Sequence, residues 1–222
     1  MRFRKLKIVL ISSFVVLAVV LAIVVLQKLL EKNSGGIRNI IDNLVDNQET
    51  ATVDAFLLSD SITKDYLTVN EYSRPGRALK EVNAIVVHYV GNPGTTAAQN
   101  RSYFENLKDS HAASASSHFI IGLEGEIIQC VPLDEISYAS NDRNYDTIAI
   151  ECCHPDETGQ FTTATYQSLV KLTASLCKTY GLNPEDGIIR HYDVTGKYCP
   201  LYYVNNEDEW YGFKLDVKAE ME

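Results

Sequence analysis

Residues 8–26, IVLISSFVVLAVVLAIVVL, run for 19 positions without a charge. A stretch this apolar has no place on the surface of a water-soluble domain. As a helix rising about 1.5 Å per residue it covers about 28 Å, close to the hydrocarbon thickness of a bilayer. The segment before it, MRFRKLK, is strongly basic, which holds the N-terminus in the cytoplasm. The segment after it, QKLLEKN, is bulky and charged and offers no small-x-small cleavage pair, and the run is long for the apolar part of a cleaved signal. Residues 1–26 therefore read as a cytoplasmic basic tip and a retained transmembrane signal anchor. The rest of the chain is expected on the extracytoplasmic side, held at the cell membrane.

Charge divides along the same line. Residues 1–32 carry six basic residues and one acid, a net of +5, so within a chain of −9 the remaining residues sum to −14. An acidic body repels phosphates, which argues against a nucleic acid as partner. Five cysteines, at 130, 152, 153, 177 and 199, make an odd number, so at least one has a fate other than a disulfide. Cys199 is the candidate. Cys152 and Cys153 would face opposite ways in a strand. The others are disulfide partners or small buried apolar groups.

Residues 27–64 read as a juxtamembrane stalk and linker. Ile37, Ile40, Ile41 and Leu44 have amphipathic spacing, free to pack on the domain or on a second copy, so the oligomeric state stays open. A compact domain is expected over 65–222. AIVVHYV (84–90), DTIAIECC (146–153) and GIIRHY (187–192) read as strands, and SHFIIGLEGEIIQCV (117–131) as a hairpin turning at Glu124-Gly125. Helices are predicted over 95–109, behind a capping threonine, and over 162–182, stopped near Gly181. The pattern predicts an α/β fold: a mixed central β-sheet flanked by helices, preceded by the transmembrane helix.

Of the five histidines, His88 and His191 each close a predicted strand, where a sheet presents side chains to a cleft. Cys199 follows His191 by eight residues. Imidazole and thiolate suit zinc, and three protein ligands leave a fourth position open, as catalytic sites do. Hydrolysis there also needs a proton carrier and a group to stabilise an oxyanion. Glu151 ends the run TIAIE, and Lys197 stands two positions before Cys199, on the same face if the stretch is extended. Taken singly, Glu151 is equally a strand-edge salt-bridge partner and Lys197 a solvated turn lysine.

The set VVHYVGNPG, SSHFIIGLEGEIIQCVP, TIAIECC and RHYDVTGKYCP resembles the zinc-dependent N-acetylmuramoyl-L-alanine amidases over about residues 67–204. That family shares its fold with the peptidoglycan recognition proteins and with T7 lysozyme. The resemblance implies zinc ligands at His88, His191 and Cys199, a catalytic Glu151 and an assisting Lys197. It implies hydrolysis of the amide between N-acetylmuramic acid and L-alanine in peptidoglycan. Ser117 stands where the T7 type has a tyrosine, so the sequence is similar to the glutamate branch. His118 resembles a position lining the cleft, with a substrate-binding role or a plain strand hydrogen bond as the alternatives. Family members often carry a Trp-His pair after the hairpin, where this chain reads ISYASND. Two other readings stand beside the enzyme: a muropeptide-binding module that does not cut, and a cysteine hydrolase with Cys199 as nucleophile.

Overall fold

Six strands organise residues 53–222, the part of the chain that the computed structural model describes. They are β1 (Ile62–Lys64), β2 (Ala84–Tyr89), β3 (Phe119–Ile121), β4 (Ile127–Gln129), β5 (Thr147–Cys152) and β6 (Ile188–Arg190). The sheet order is β1-β4-β3-β5-β2-β6. β3 and β4 form the predicted hairpin and are antiparallel; every other neighbouring pair is parallel. The helices are α1 (Ala97–Ser110), α2 (Thr163–Tyr180), α3 (Pro184–Gly187), α4 (His191–Thr195), α5 (Leu201–Asn205) and α6 (Glu207–Met221). The mixed, helix-flanked sheet predicted from the sequence is present.

β5 and β2 are neighbouring interior strands, largely apolar and β-branched, as doubly covered strands require. They run in register from Ala84 beside Thr147 to Tyr89 beside Cys152. Alternate residues then serve opposite cores. Ile85, Val87, Ile148, Ile150 and Cys152 join Leu169, Leu172 and Leu176 of α2 and Phe213 and Val217 of α6. On the other face Ile120 and Cys153 pack with Phe104 and Leu107 of α1. Cys152 and Cys153 thus enter separate cores. All five cysteines are free and buried, and the four other than Cys199 act as small apolar groups.

The two long helices start and stop where local chemistry dictates. Thr96 and Gln99 form a capping box at the head of α1. Thr162 caps α2, and Gly181 ends it in the left-handed region at φ 64°.

Three features differ from the sequence reading. Residues up to 64 were expected as linker, but Leu57, in a 3-10 turn at Ala55–Leu58, and Ile62 are each only 4% exposed. The Asp54 N–H donates to Thr179 Oγ1 of α2 at 3.1 Å, and β1 pairs with β4. The domain therefore begins upstream of residue 65. A three-residue strand has too little pattern to read, and its partner is remote in sequence. Second, His191 opens α4 rather than closing β6. Asp193 causes this, because its carboxylate accepts the Arg190 N–H at 2.9 Å and starts the helix. Third, α5 and α6 complete the larger core through Tyr203, Trp210, Phe213 and Val217, in a region left unread from sequence. The apolar run at 8–26 and the amphipathic segment at 37–44 lie outside the described residues. Among the described residues no helix is long and apolar enough to cross a membrane.

Candidate active site

His88 lies near the C-terminal end of β2, on the face away from the larger core. Glu151 is its register partner on β5, so the two side chains leave the sheet on the same side. His191 arrives from the next strand over, as the first residue of α4. Its position is set from behind by Arg190, whose guanidinium is 2.8 Å from both Asp193 and Glu207 and packs over the Trp210 ring at 5.6 Å. Gly196, at φ 77°, ends α4 and turns the chain back. The Tyr192 N–H then donates to the Cys199 carbonyl at 2.9 Å and closes the loop, placing Cys199 against the histidines.

The three side chains meet. One donor atom each from His88, His191 and Cys199 lies within 4.8 Å of the other two, and all three residues are buried. His88 Nδ1 is 3.9 Å from Cys199 Sγ. Tetrahedral zinc, with about 2.0 Å to nitrogen and 2.3 Å to sulfur, separates such a pair by about 3.6 Å. The far side of each ring is occupied: His88 Nε2 is 3.3 Å from Ser140 Oγ, and His191 Nε2 donates to Asn141 Oδ1 at 3.2 Å. The donor set and its spacing fit zinc. Burial holds His88 well below its ordinary value, with His191 and Lys197 adding repulsion, and burial and Lys197 lower His191 too. Both shifts favour the neutral ring, the form that binds a metal. Burial pushes the Cys199 thiol up to about 12, which leaves it a poor nucleophile without a cation beside it.

Glu151 completes the chemistry. Its Oε2 is shut off from solvent and has no hydrogen-bond partner. Burial raises the carboxyl from 4.5 to about 8, against the opposing pull of Lys197. Lys197 is exposed and does not lie in an extended stretch, since the Cys199 N–H turns back onto the Lys197 carbonyl at 2.7 Å. Both residues still line one cleft of about 560 Å³, together with His88, Glu151, His191, Tyr138, Asn141 and Asn144.

His118 is not in that cleft. It has no exposed surface, and its Nε2–H donates to the Glu135 carbonyl at 2.9 Å. Its Nδ1 accepts from the Ala149 N–H at 3.0 Å and from Ser137 Oγ at 3.1 Å. With every ring position used, the substrate-binding expectation gives way to the strand hydrogen-bonding one. Ser140 and Asn141 were not singled out from the sequence. No short-range pattern marks them.

A sequence model of the N-acetylmuramoyl-L-alanine amidase family matches residues 78–201, more than half of the chain, a range that contains His88, Glu151, His191, Lys197 and Cys199. The chain belongs to that amidase family. Among curated relatives, the N-acetylmuramoyl-L-alanine amidase BlyA of Bacillus subtilis is 35% identical over 179 residues, 72% of this chain and 47% of BlyA. The amidase CwlL of Bacillus licheniformis is 33% identical, over 71% of this chain and 47% of CwlL. The chain thus spans about half the length of the curated relatives it matches. The solved catalytic domain of XlyA superposes with a TM-score of 0.59 at 25% identity, covering 70% of this chain and 98% of that domain. The PlyG catalytic domain shares the fold, with a TM-score of 0.61 at 23% identity over 72% of this chain and 94% of its own. The amidase fold accounts for the sheet, the flanking helices and the cleft.

Proposed function

We propose that this chain is a zinc-dependent peptidoglycan amidase that hydrolyses the bond between the lactyl group of N-acetylmuramic acid and L-alanine. The observation that carries the reading is the convergence of His88, His191 and Cys199 in one cleft with Glu151, whose Oε2 is buried and unpartnered. His88, His191 and Cys199 would hold the zinc, which would supply Lewis acidity near neutral pH. Glu151 takes a proton from the attacking water and returns it to the leaving alanine nitrogen. Burial favours the neutral carboxyl and a bound cation would favour the carboxylate, so the group can both take and return a proton. Lys197 reaches over the cleft from its exposed turn and offsets charge growing on the carbonyl oxygen. A complete ligand set favours cutting over muropeptide binding alone.

The apolar run at 8–26 supports a location at the cell membrane, with the catalytic domain facing the wall. The test is release of new alanine amino termini from purified peptidoglycan by the full chain. Activity should disappear with a chelator, return with zinc, and be absent in Glu151→Gln at full zinc content. Undiminished activity in the chelated protein would overturn the metal reading. Activity in zinc-loaded Glu151→Gln would overturn the proton-transfer role.

A further inference from the structure

Two consecutive residues hold the outer edges of both histidines. Ser140 Oγ is 3.3 Å from His88 Nε2, and Asn141 Oδ1 is 3.2 Å from His191 Nε2. An amide oxygen only accepts, so His191 must carry its proton on Nε2, and the lone pair is left on Nδ1. On His88, Nδ1 is the atom that faces Cys199 Sγ. With a metal on Nδ1, its Nε2–H donates to Ser140.

The pair is built to stay in place. Asn144 Oδ1 accepts from the backbone N–H of Ala139 at 3.0 Å and of Ser140 at 2.6 Å. The Arg143 N–H donates to the Ser140 carbonyl at 2.9 Å. Thr147, the first residue of β5, ties the turn to the sheet through its hydroxyl, which donates to the Arg143 carbonyl at 2.6 Å. Asn141 itself adopts φ 51°, a left-handed conformation that asparagine tolerates better than most residues. Ser140 is 1% exposed, so its hydroxyl is not competing with bulk water.

We propose that Ser140 and Asn141 are positioning residues for the metal centre. They set the tautomer and ring plane of His88 and His191 together, so that both Nδ1 lone pairs converge on the Cys199 sulfur. This inference rests on the metal-binding reading above. Outer hydrogen-bond partners of metal-bound histidines are worth about 10- to 100-fold in metal affinity.

The experiment measures zinc affinity by competition with a chromophoric chelator, and the d–d absorption of the cobalt(II)-loaded protein as a report on ligand geometry. Asn141→Gly keeps the left-handed turn and deletes the acceptor. It should weaken zinc about 10- to 100-fold and alter the cobalt spectrum. Asn141→Asp keeps both the turn and an accepting oxygen and should stay within about threefold of the parent in zinc affinity, so a loss confined to Asn141→Gly reports the acceptor and not the turn. Ser140→Ala, nearly isosteric, should weaken zinc in the same direction and decides the matter if Asn141→Gly does not fold. Parental zinc affinity and cobalt spectrum in folded Asn141→Gly, or in Ser140→Ala should the glycine variant not fold, overturn the inference while leaving the metal reading intact. Failure of the parent chain to bind zinc overturns both.

Discussion

Replacing Glu151 by glutamine should make the chelated protein more stable, and by an amount that depends on pH. The carboxyl has an ordinary value of 4.5 and is raised to about 8 by burial, with Oε2 unpartnered. A folded-state value above the unfolded one contributes stability that is intact below 4.5 and is lost as pH rises toward 8. Integrated over that window, the loss is about 1 kcal/mol at about pH 5 and about 4 kcal/mol at about pH 7.5. Glutamine has nearly the same shape, stays neutral and leaves the same position unpaired, so it escapes the loss. The stability gap between variant and parent should therefore widen by about 3 kcal/mol between those pH values, or roughly 6–12 °C in Tm for a domain of this size. The assay is thermal unfolding of both proteins in excess chelator, at each pH, followed by circular dichroism. Other titrating groups are common to the two proteins and cancel in the difference. Restoring zinc should narrow the gap, because a nearby cation favours the carboxylate. A gap of the same size at both pH values would refute the claim that burial, rather than a local partner, governs this residue.

Cys199→Asp should retain bound zinc and part of the activity, since a carboxylate also ligates zinc, whereas Cys199→Ala should lose zinc affinity. A zinc-loaded but wholly inactive Cys199→Asp would instead point to a nucleophilic cysteine. Leu57→Ala should destabilise the protein by about 2–5 kcal/mol in urea unfolding, as expected for a truncated core residue, while a linker residue there would cost almost nothing. His118→Gln should cost about 1–3 kcal/mol through unmet buried hydrogen bonds and leave KM for peptidoglycan fragments unchanged; a raised KM at unchanged stability would put His118 back in the cleft.

Much of the chemistry is legible in the chain because scarce residue types end strongly patterned segments. AIVVH and TIAIE announce buried strands by their β-branched runs, so the His and Glu that break those runs stand out as exceptions needing a reason. The cap at Thr96 and the stop at Gly181 are equally local and equally readable. Family spacing among four motifs then joins His88, Glu151, His191, Lys197 and Cys199 into one set. What sequence misjudges is whatever depends on a distant partner. β1 is three residues long and exists because β4 offers it an open edge. His118 looks like a cleft residue until Glu135, Ser137 and Ala149 take up its ring.

The candidate ligands, picked out by their resemblance to a family pattern, and the apolar strands and uncharged run at 8–26, which rest on composition and period within a few residues, are therefore legible in the sequence itself. The register that sets Glu151 beside His88, the burial that lifts its carboxyl, and the Ser140-Asn141 turn that orients both imidazoles belong to tertiary structure alone. Desolvation and hydrogen-bond direction are fixed by neighbours far away in the chain, and only folding brings those neighbours to the site.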